Sequence, residues 1–409
     1  MAKITKDQVK QATLQLLEDA EGYDTDELNA LRRDALDYYY NRQEAAPNMP
    51  GRSALQSSDV ADMVEAVCAQ IMPAFDSEQV VEFEPLHPED IEQARTETQA
   101  VTYVIMRQNN GYTEISEAIK DALLLRNGIL KVWLDESESV TNENYEKLSE
   151  LEYGDLVRSS VPDITQVDNG HTVELIDERG GLYDVRVTHK ETERKICVKA
   201  IDPAQFCWER DHDSIYLDKC RFVAERTTYT RSELIEMGDK KSIVNGLTVG
   251  GTDTQGDQLA RNQPAQRRTW RGAEPSQDLV EYHECYVRMD ADGDGVAELL
   301  KVCIASNTLL SMEDVEIIPY ASGTPFIQPH RFNGLGMFDK LRFVQDAKTS
   351  TLRQMLDNQN HANNARVGVV DGQVNIDDVT NSRPGGVVRL RSPDSIVPFP
   401  FTDIGQSAQ

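Results

Sequence analysis

Residues 334–370 read GLGMFDKLRFVQDAKTSTLRQMLDNQNHANNARVGVV, and the rest of the chain is organised around this stretch. Phe338, Leu341, Val344, Ala347, Leu352, Met355 and Leu356 recur at roughly helical spacing, with no Pro or Gly between them. The spacing predicts one helix from Phe338 to Gln359, opened by a flexible Gly334-Leu335-Gly336. At the helical rise its length is about 33 Å. Arg342, Asp346, Lys348 and Arg353 lie close beside the apolar stripe. A helix apolar over so narrow a stripe packs beside a neighbour or a copy of itself more readily than at the centre of a core. The amide-rich run Asn358 to Asn364 is expected to end it, because Asn favours caps and turns.

The 409 residues are enough for two or three domains with sizeable cores. Seventy Asp and Glu against 42 Lys and Arg give a net charge of −28, which argues against tight binding to a nucleic-acid backbone. The six cysteines, Cys68, Cys197, Cys207, Cys220, Cys285 and Cys303, form no C-x-x-C pair, which fits a reducing compartment better than a disulfide or zinc framework. The polar N-terminus lacks a signal-peptide core and no apolar run reaches membrane-spanning length, so the expectation is a soluble protein made in a cytoplasm.

Residues 1–135 read as mainly helical, with helices near Lys6–Glu18, from the Thr25-Asp26-Glu27 start to Asn41, from Ser58 or Asp59 to Met72, near Pro88–Asn109, and from a Thr113 cap to Arg126. Val80 to Pro85 and Ile129 to Leu134 read as strands. The acidic segment 135–155 reads as a loop with a short exposed helix at Tyr145–Leu151. Thr172–Ile176, Gly181–Val187 and Arg194–Val198 read as three strands of a meander. Thr230-Arg231-Ser232-Glu233 is a capping box ahead of a short helix closed by Gly238. Residues 249–278 are too poor in apolar side chains to order themselves, whereas Leu279–Met289, Leu299–Leu309 and Ile317–Phe326 read as strands of one small β subdomain.

The sharpest local motif is Asp290-Ala291-Asp292-Gly293-Asp294-Gly295, with Glu298 shortly after. Carboxylates at loop positions 1, 3 and 5 with Gly at 6 are how a Ca²⁺ loop gathers hard oxygen ligands, which makes Asp290, Asp292, Asp294 and Glu298 the candidate metal ligands. Lys301 stands where an EF-hand needs its bidentate Glu and the flanks read as strands, so the competing reading is an Asp/Gly turn. No phosphate loop, nucleophile elbow or zincin motif is present, and the seven histidines are isolated from one another.

Several blocks carry a resemblance. RQMLDN (353–358), NN-x-R (363–366), VVDGQVNIDD (369–378) and SRPGGVVRL-x-SPDSI (382–396) resemble the portal, or head-to-tail connector, proteins of short-tailed bacteriophages. GRSALQSSDVADMVEAVCAQIMPAF (51–75) is similar to an early segment of the same family. The order DP-x-x-F (202–206), FVAER (222–226) and TRSELIEMG (230–238) gives a further co-linear match. The resemblance implies an α+β, portal-like fold: a helical wing (1–135), an acidic loop with β meander and short helix (136–248), a flexible loop (249–278), a clip-like β subdomain (279–330), a stem-like helix (331–366) and a return to the wing (367–409). By resemblance the chain is truncated relative to the family, whose members continue into a channel loop, a further helix and a crown.

The function implied is a homo-dodecameric ring at one capsid vertex of the virion, with no enzymatic activity and no cofactor. Double-stranded DNA would pass through it during packaging and ejection, and terminase, tail adaptor and capsid or scaffold proteins would dock on it. Arg342, Lys348 and Arg353 are the candidate DNA-facing cations. Two other readings stay open from the residues alone: a non-portal virion structural or tail adaptor protein, and a Ca²⁺-dependent carbohydrate-active enzyme built on the Asp290 loop.

Overall fold

Phe222-Val223-Ala224-Glu225-Arg226 and His283-Glu284-Cys285-Tyr286-Val287 alternate two kinds of side chain, and the architecture follows from where each kind goes. The computed structural model describes residues 4–23, 28–42, 52–75, 81–85, 87–159, 169–179, 182–250, 271–363, 367–380 and 387–398. The N-terminal helices are α1 (Lys6–Tyr23), α2 (Asn29–Tyr39), α3 (Asp59–Ile71), α4 (Ile91–Tyr103) and α5 (Gly111–Leu125). Strand β1 (Gly128–Ser149), α6 (Glu150–Ser159), β2 (Asn169–Arg179) and β3 (Leu182–Ile201) follow. Next come β4 (Phe206–Trp208), β5 (Phe222–Thr230), α7 (Arg231–Glu236), α8 (Lys241–Val244), β6 (Leu279–Met289), β7 (Glu298–Ala305), β8 (Thr308–Asp314) and β9 (Tyr320–Gly323). A long helix, Met337–Asn363, leads to β10 (Val367–Val369), a helical turn at Ile376–Thr380 and β11 (Ile396–Pro398).

Among the described residues the two larger sheets are antiparallel, one ordered β4-β5-β6-β7-β8 and the other β2-β3-β1-β9, and β10 pairs with β11 apart from them. Phe222, Ala224, Cys285, Val287, Leu300 and Val302 point to one face of the five-stranded sheet, where Val9, Leu17 and Ala20 of α1 cover them. Val223, Tyr286 and Leu299 point to the other face and meet Ile129, Ile201 and Tyr320 of the second sheet, with Phe206, Trp208 and Phe332 filling the same core. Leu234, Val244 and Leu247 of the α7–α8 region cover Val280, Tyr282 and Cys303. A separate helical core joins α2, α3, α5 and the long helix through Leu36, Val60, Val64, Leu123, Leu124 and Phe338.

A buried charge cluster holds the two sheets together. Lys131 of β1 reaches across to Glu225 of β5 at 2.5 Å and Glu284 of β6 at 2.8 Å. Tyr320 donates to Glu225, Tyr286 donates to Glu284, and Lys301 lies 3.3 Å from Glu284. Burial alone would depress the Lys131 ammonium, but the two carboxylates outweigh it and hold its pKa above the ordinary lysine value. Burial likewise works against the charged form of Glu284, yet Lys131 and Lys301 hold its pKa below the ordinary glutamate value.

The structure changes several expectations. The acidic segment after Asp135 continues β1 to Ser149, and the short helix starts only at Glu150. Its acids and amides face opposites on β3: Arg194 pairs with Glu136 at 2.8 Å, and Arg186 donates to Asn144. The second and third strands of the expected meander are one continuous strand, β3. Residues 81–85 form no strand, and Val80 lies outside the described residues. Thr113 is inside α5; the cap position is Asn110, and the helix ends at Arg126, whose φ of 79° is left-handed. The expected strand Leu299–Leu309 is two, divided by a turn at Ser306 and Asn307 with φ of 44° and 65°. β6–β8 extend the sheet that β4 and β5 begin, and β9 pairs with β1, so residues 279–330 form no sheet of their own. Most of the expected 249–278 loop lies outside the described residues.

Lys131→Met should remove the cation bonded to both buried carboxylates and destabilise the protein by about 3–5 kcal/mol in urea unfolding. Adding Glu225→Gln and Glu284→Gln should recover most of that loss. The sign with pH follows from the two shifts. Glu284, lowered on folding, contributes fully above pH ~4.3, and Lys131, raised on folding, contributes fully below pH ~10.4, so stability from this cluster should fall outside that window.

Candidate functional site

The long helix spans 27 residues from Met337 to Asn363, about 40 Å, and is longer at both ends than its apolar spacing predicts. The amide-rich run stays helical to Asn363. Its start is packed tightly. A Cβ on Gly334 would lie 2.0 Å from the Thr324 methyl, and one on Gly336 would lie 2.9 Å from the Leu123 carbonyl oxygen. These glycines therefore serve close approach to the β9 exit and to α5, and not the flexibility expected of them. Asp339 accepts from the Gly336 N–H at 2.8 Å and pairs with Arg126 at 2.7 Å, which ties the helix start to the end of α5.

The buried side of this helix is largely polar. Gln345, fully buried, accepts the Val60 N–H at 2.9 Å, and Thr349 accepts the Ser57 N–H at 3.2 Å. Arg353 donates to the Leu55 carbonyl at 2.6 Å, and Asp357 accepts the Ser53 N–H at 2.5 Å. Gln345, Thr349, Arg353 and Asp357 are each four residues apart, so they form one row up the helix. Four helical residues rise about 6 Å, and two extended residues advance about 6.6 Å, which is why a helix row and an extended segment stay in step. The row grips residues 53–60 as they enter α3. Gln345 thereby satisfies a first-turn N–H that the Ser58 side chain leaves free.

The three candidate DNA-facing cations are engaged within the chain. Lys348 pairs with Asp59 at 2.5 Å. Arg342 lies 3.7 Å from Asp34 and over the rings of Tyr38 and Phe338. Arg353 belongs to the polar row. The hydrogen bond from Lys348, and after it one from Ser57, holds the Asp59 carboxyl below its usual range. On the helix's other side Phe343 is 78 % exposed and Val344 56 %, so a large aromatic and a branched apolar side chain face outward. Of the expected stripe, only Phe338 is fully buried.

The second candidate, the Asp290 motif, is the loop joining β6 to β7, whose ends pair as Met289 and Glu298. One carboxylate oxygen from each of Asp290, Asp292, Asp294 and Glu298 lies within 4.8 Å of the others, and four hard oxygen donors suit Ca²⁺ chemistry. Every one of these carboxylates already accepts a backbone N–H of the loop. Asp290 takes Gly293 at 2.6 Å and Gly295 at 2.9 Å, Asp292 takes Asp294, Asp294 takes Val296, and Glu298 takes Ala291. Gly293 and Gly295 have φ of 87° and 94°, the conformation a tight carboxylate-held turn requires.

The family model described as phage SU10 portal protein matches residues 9–409. The chain belongs to the phage SU10 portal protein family. No curated protein matches it. Among the described residues, no helix of this portal-family chain is long and apolar enough to cross a membrane. The candidate residues do not converge on one centre: the cations lie along the long helix and the four acids lie in a hairpin of the five-stranded sheet. The polar row was missed in the sequence because its members are polar. The signal available was their strict four-residue spacing.

Two measurements follow. Lys348→Glu should loosen residues 53–60 and lower the unfolding temperature, whereas Lys348→Arg should leave it close to wild type. The contribution of Asp59, whose pKa is lowered on folding, should be present above pH ~3.9 and disappear as pH falls through its lower folded value. Adding Ca²⁺ should leave the unfolding temperature unchanged if the Asp290 carboxylates act only as turn acceptors; a rise that saturates with Ca²⁺ would make the loop a metal site.

Proposed function

We propose that this chain is the ring-forming subunit of a phage portal: a channel at one capsid vertex that passes double-stranded DNA during packaging and ejection. The observation that carries the reading is the family match over residues 9–409. The role is geometric and electrostatic, with no catalytic step. Terminase, tail adaptor and capsid proteins are the expected partners, and the virion is the expected location.

The long helix is the candidate wall element, for its length and for the exposure of Phe343 and Val344 on one side. With −28 net charge per subunit, a ring would present duplex DNA with an acidic surround, which discourages adhesion to phosphates and favours sliding. Arg342, Lys348 and Arg353 fit this reading as residues that position the helix against α2, α3 and the 53–60 segment, with DNA contact secondary.

Light scattering and negative-stain images of the purified protein test the proposal. The expected result is a ring whose central hole admits duplex DNA. In a gel at roughly 50 mM salt the same particles should not retard duplex DNA, since a net charge of −28 per subunit repels the phosphates. A compact particle without a hole, or tight salt-sensitive DNA retention, would overturn the reading.

A further inference from the structure

Helix α1 lies as a strap over one apolar face of the five-stranded sheet. Val9, Leu17 and Ala20 cover Phe222, Cys285 and Ile304 there, and just before the helix Ile4 donates its N–H to the Ala291 carbonyl at 3.2 Å. The far end of the strap is charged. The last turn of α1 holds Glu21 and no basic residue, although the C-terminal end of a helix favours cations. The cations come from the sheet.

Arg226 of β5 and His283 of β6 stand opposite each other in the ladder, and they share the α1 face with Ala224 and Cys285 two residues away. Arg226 lies 3.5 Å from Glu21 and 3.9 Å from Glu281, and the enclosed Nε2 of His283 lies 3.5 Å from Glu21. The titratable and charged groups around the imidazole are thus Glu21 from α1, Arg226 from β5, and Glu281 and Cys285 from β6; β7 contributes the apolar Ile304. Burial keeps the Cys285 thiol protonated. With a neutral imidazole, two carboxylates therefore face one guanidinium, and a proton on His283 makes the set neutral. Burial works against the charged form of Glu21, yet His283 and Arg226 hold its pKa below the ordinary glutamate value.

We infer that His283 is a pH-sensitive latch for α1: a proton on its imidazole tightens the last turn of the helix against the sheet, and loss of that proton loosens it. Imidazole is the side chain whose charge ordinarily changes between about pH 5 and 8. The attraction between His283 and Glu21 is present below that range and is lost as pH rises through it. Glu21, lowered on folding, contributes above the ordinary glutamate range, and its share is lost as pH falls through its lower folded value. The latch is therefore strongest in mildly acidic solution and weakens on either side. Leu17 and Ala20 are the apolar contacts next to it, so they are the first that loosening exposes. The inference is independent of the portal reading.

Amide hydrogen exchange on the full-length protein tests it, with wild type, His283→Gln and Glu21→Gln compared. Protection of the amides of residues 18–21 is corrected for the intrinsic pH dependence of exchange and referenced to the amides of α5, which lies outside the strap. In wild type it should rise about tenfold from about pH 8 to about pH 6, the factor that a charge-assisted hydrogen bond of modest net strength supplies. Both variants should lose that rise. Glu21 is 25 % exposed on the helix, so Glu21→Gln leaves the apolar packing of α1 in place and decides the matter alone if His283→Gln does not fold. A wild-type protein with no rise, or a rise that survives in Glu21→Gln or in a folded His283→Gln, would overturn the inference.

Discussion

The polar row Gln345, Thr349, Arg353 and Asp357 fixes the orientation of the long helix, and the rest of the helix's behaviour depends on it. Burying a glutamine and a threonine is costly unless their polar atoms find partners. Here the Val60 N–H meets the Gln345 side-chain oxygen and the Ser57 N–H meets the Thr349 hydroxyl, because residues 53–58 and the first turn of α3 run alongside, while Gln345 Nε2 stays buried without a partner among the described residues. Arg353 and Asp357 continue the row to Leu55 and Ser53. Once that side is turned inward, Phe343 and Val344 have nowhere to go but outward. The outward placement of Phe343 and Val344 is thus a consequence of how the helix is held.

The other half of the protein depends on a different kind of contact. The five-stranded sheet and the β1-β3 sheet share an apolar core, but apolar packing alone does not select one relative placement of two sheets. Lys131, reaching Glu225 and Glu284 from across the gap, does so, because sliding either sheet would strand a charge in a dry interior. Tyr320 and Tyr286 occupy further acceptor positions on the same carboxylates. The helical layer then attaches through the Arg126–Asp339 pair and the close glycine contacts of Gly334 and Gly336.

Local signals were legible in the sequence where the cause was local. The Thr230–Glu233 capping box is present with both of its reciprocal bonds, and β6 covers the stretch Leu279–Met289 that its pattern marks. The α+β class, and the long helix itself, were also legible. What failed to show was set by residues far away. Asp135 to Ser149 reads as an acidic loop because the basic strand that pairs with it arrives about fifty residues later, with Arg194 and Arg186 opposite Glu136 and Asn144. Likewise, Arg342, Lys348 and Arg353 read as free cations because their partners, Asp34, Asp59 and the Leu55 carbonyl, lie near the other end of the chain. The burial of Gln345 and Thr349 inverted the apolar stripe for the same reason. The Asp290 motif was legible as a set of neighbours, and its hydrogen bonds to the loop's own N–H groups emerged only from the backbone path.

Amide hydrogen exchange at Ser53, Ser57 and Val60 tests the account most directly. Ser53 and Ser57 precede α3 in a segment without regular secondary structure, where amides ordinarily exchange quickly. If the polar row holds this segment to the long helix, all three amides should exchange slowly, and Gln345→Leu should accelerate Val60. Exchange of Ser53 and Ser57 at the rate of an open loop, with Val60 indifferent to Gln345→Leu, would contradict it: the long helix would then not be held by its polar face.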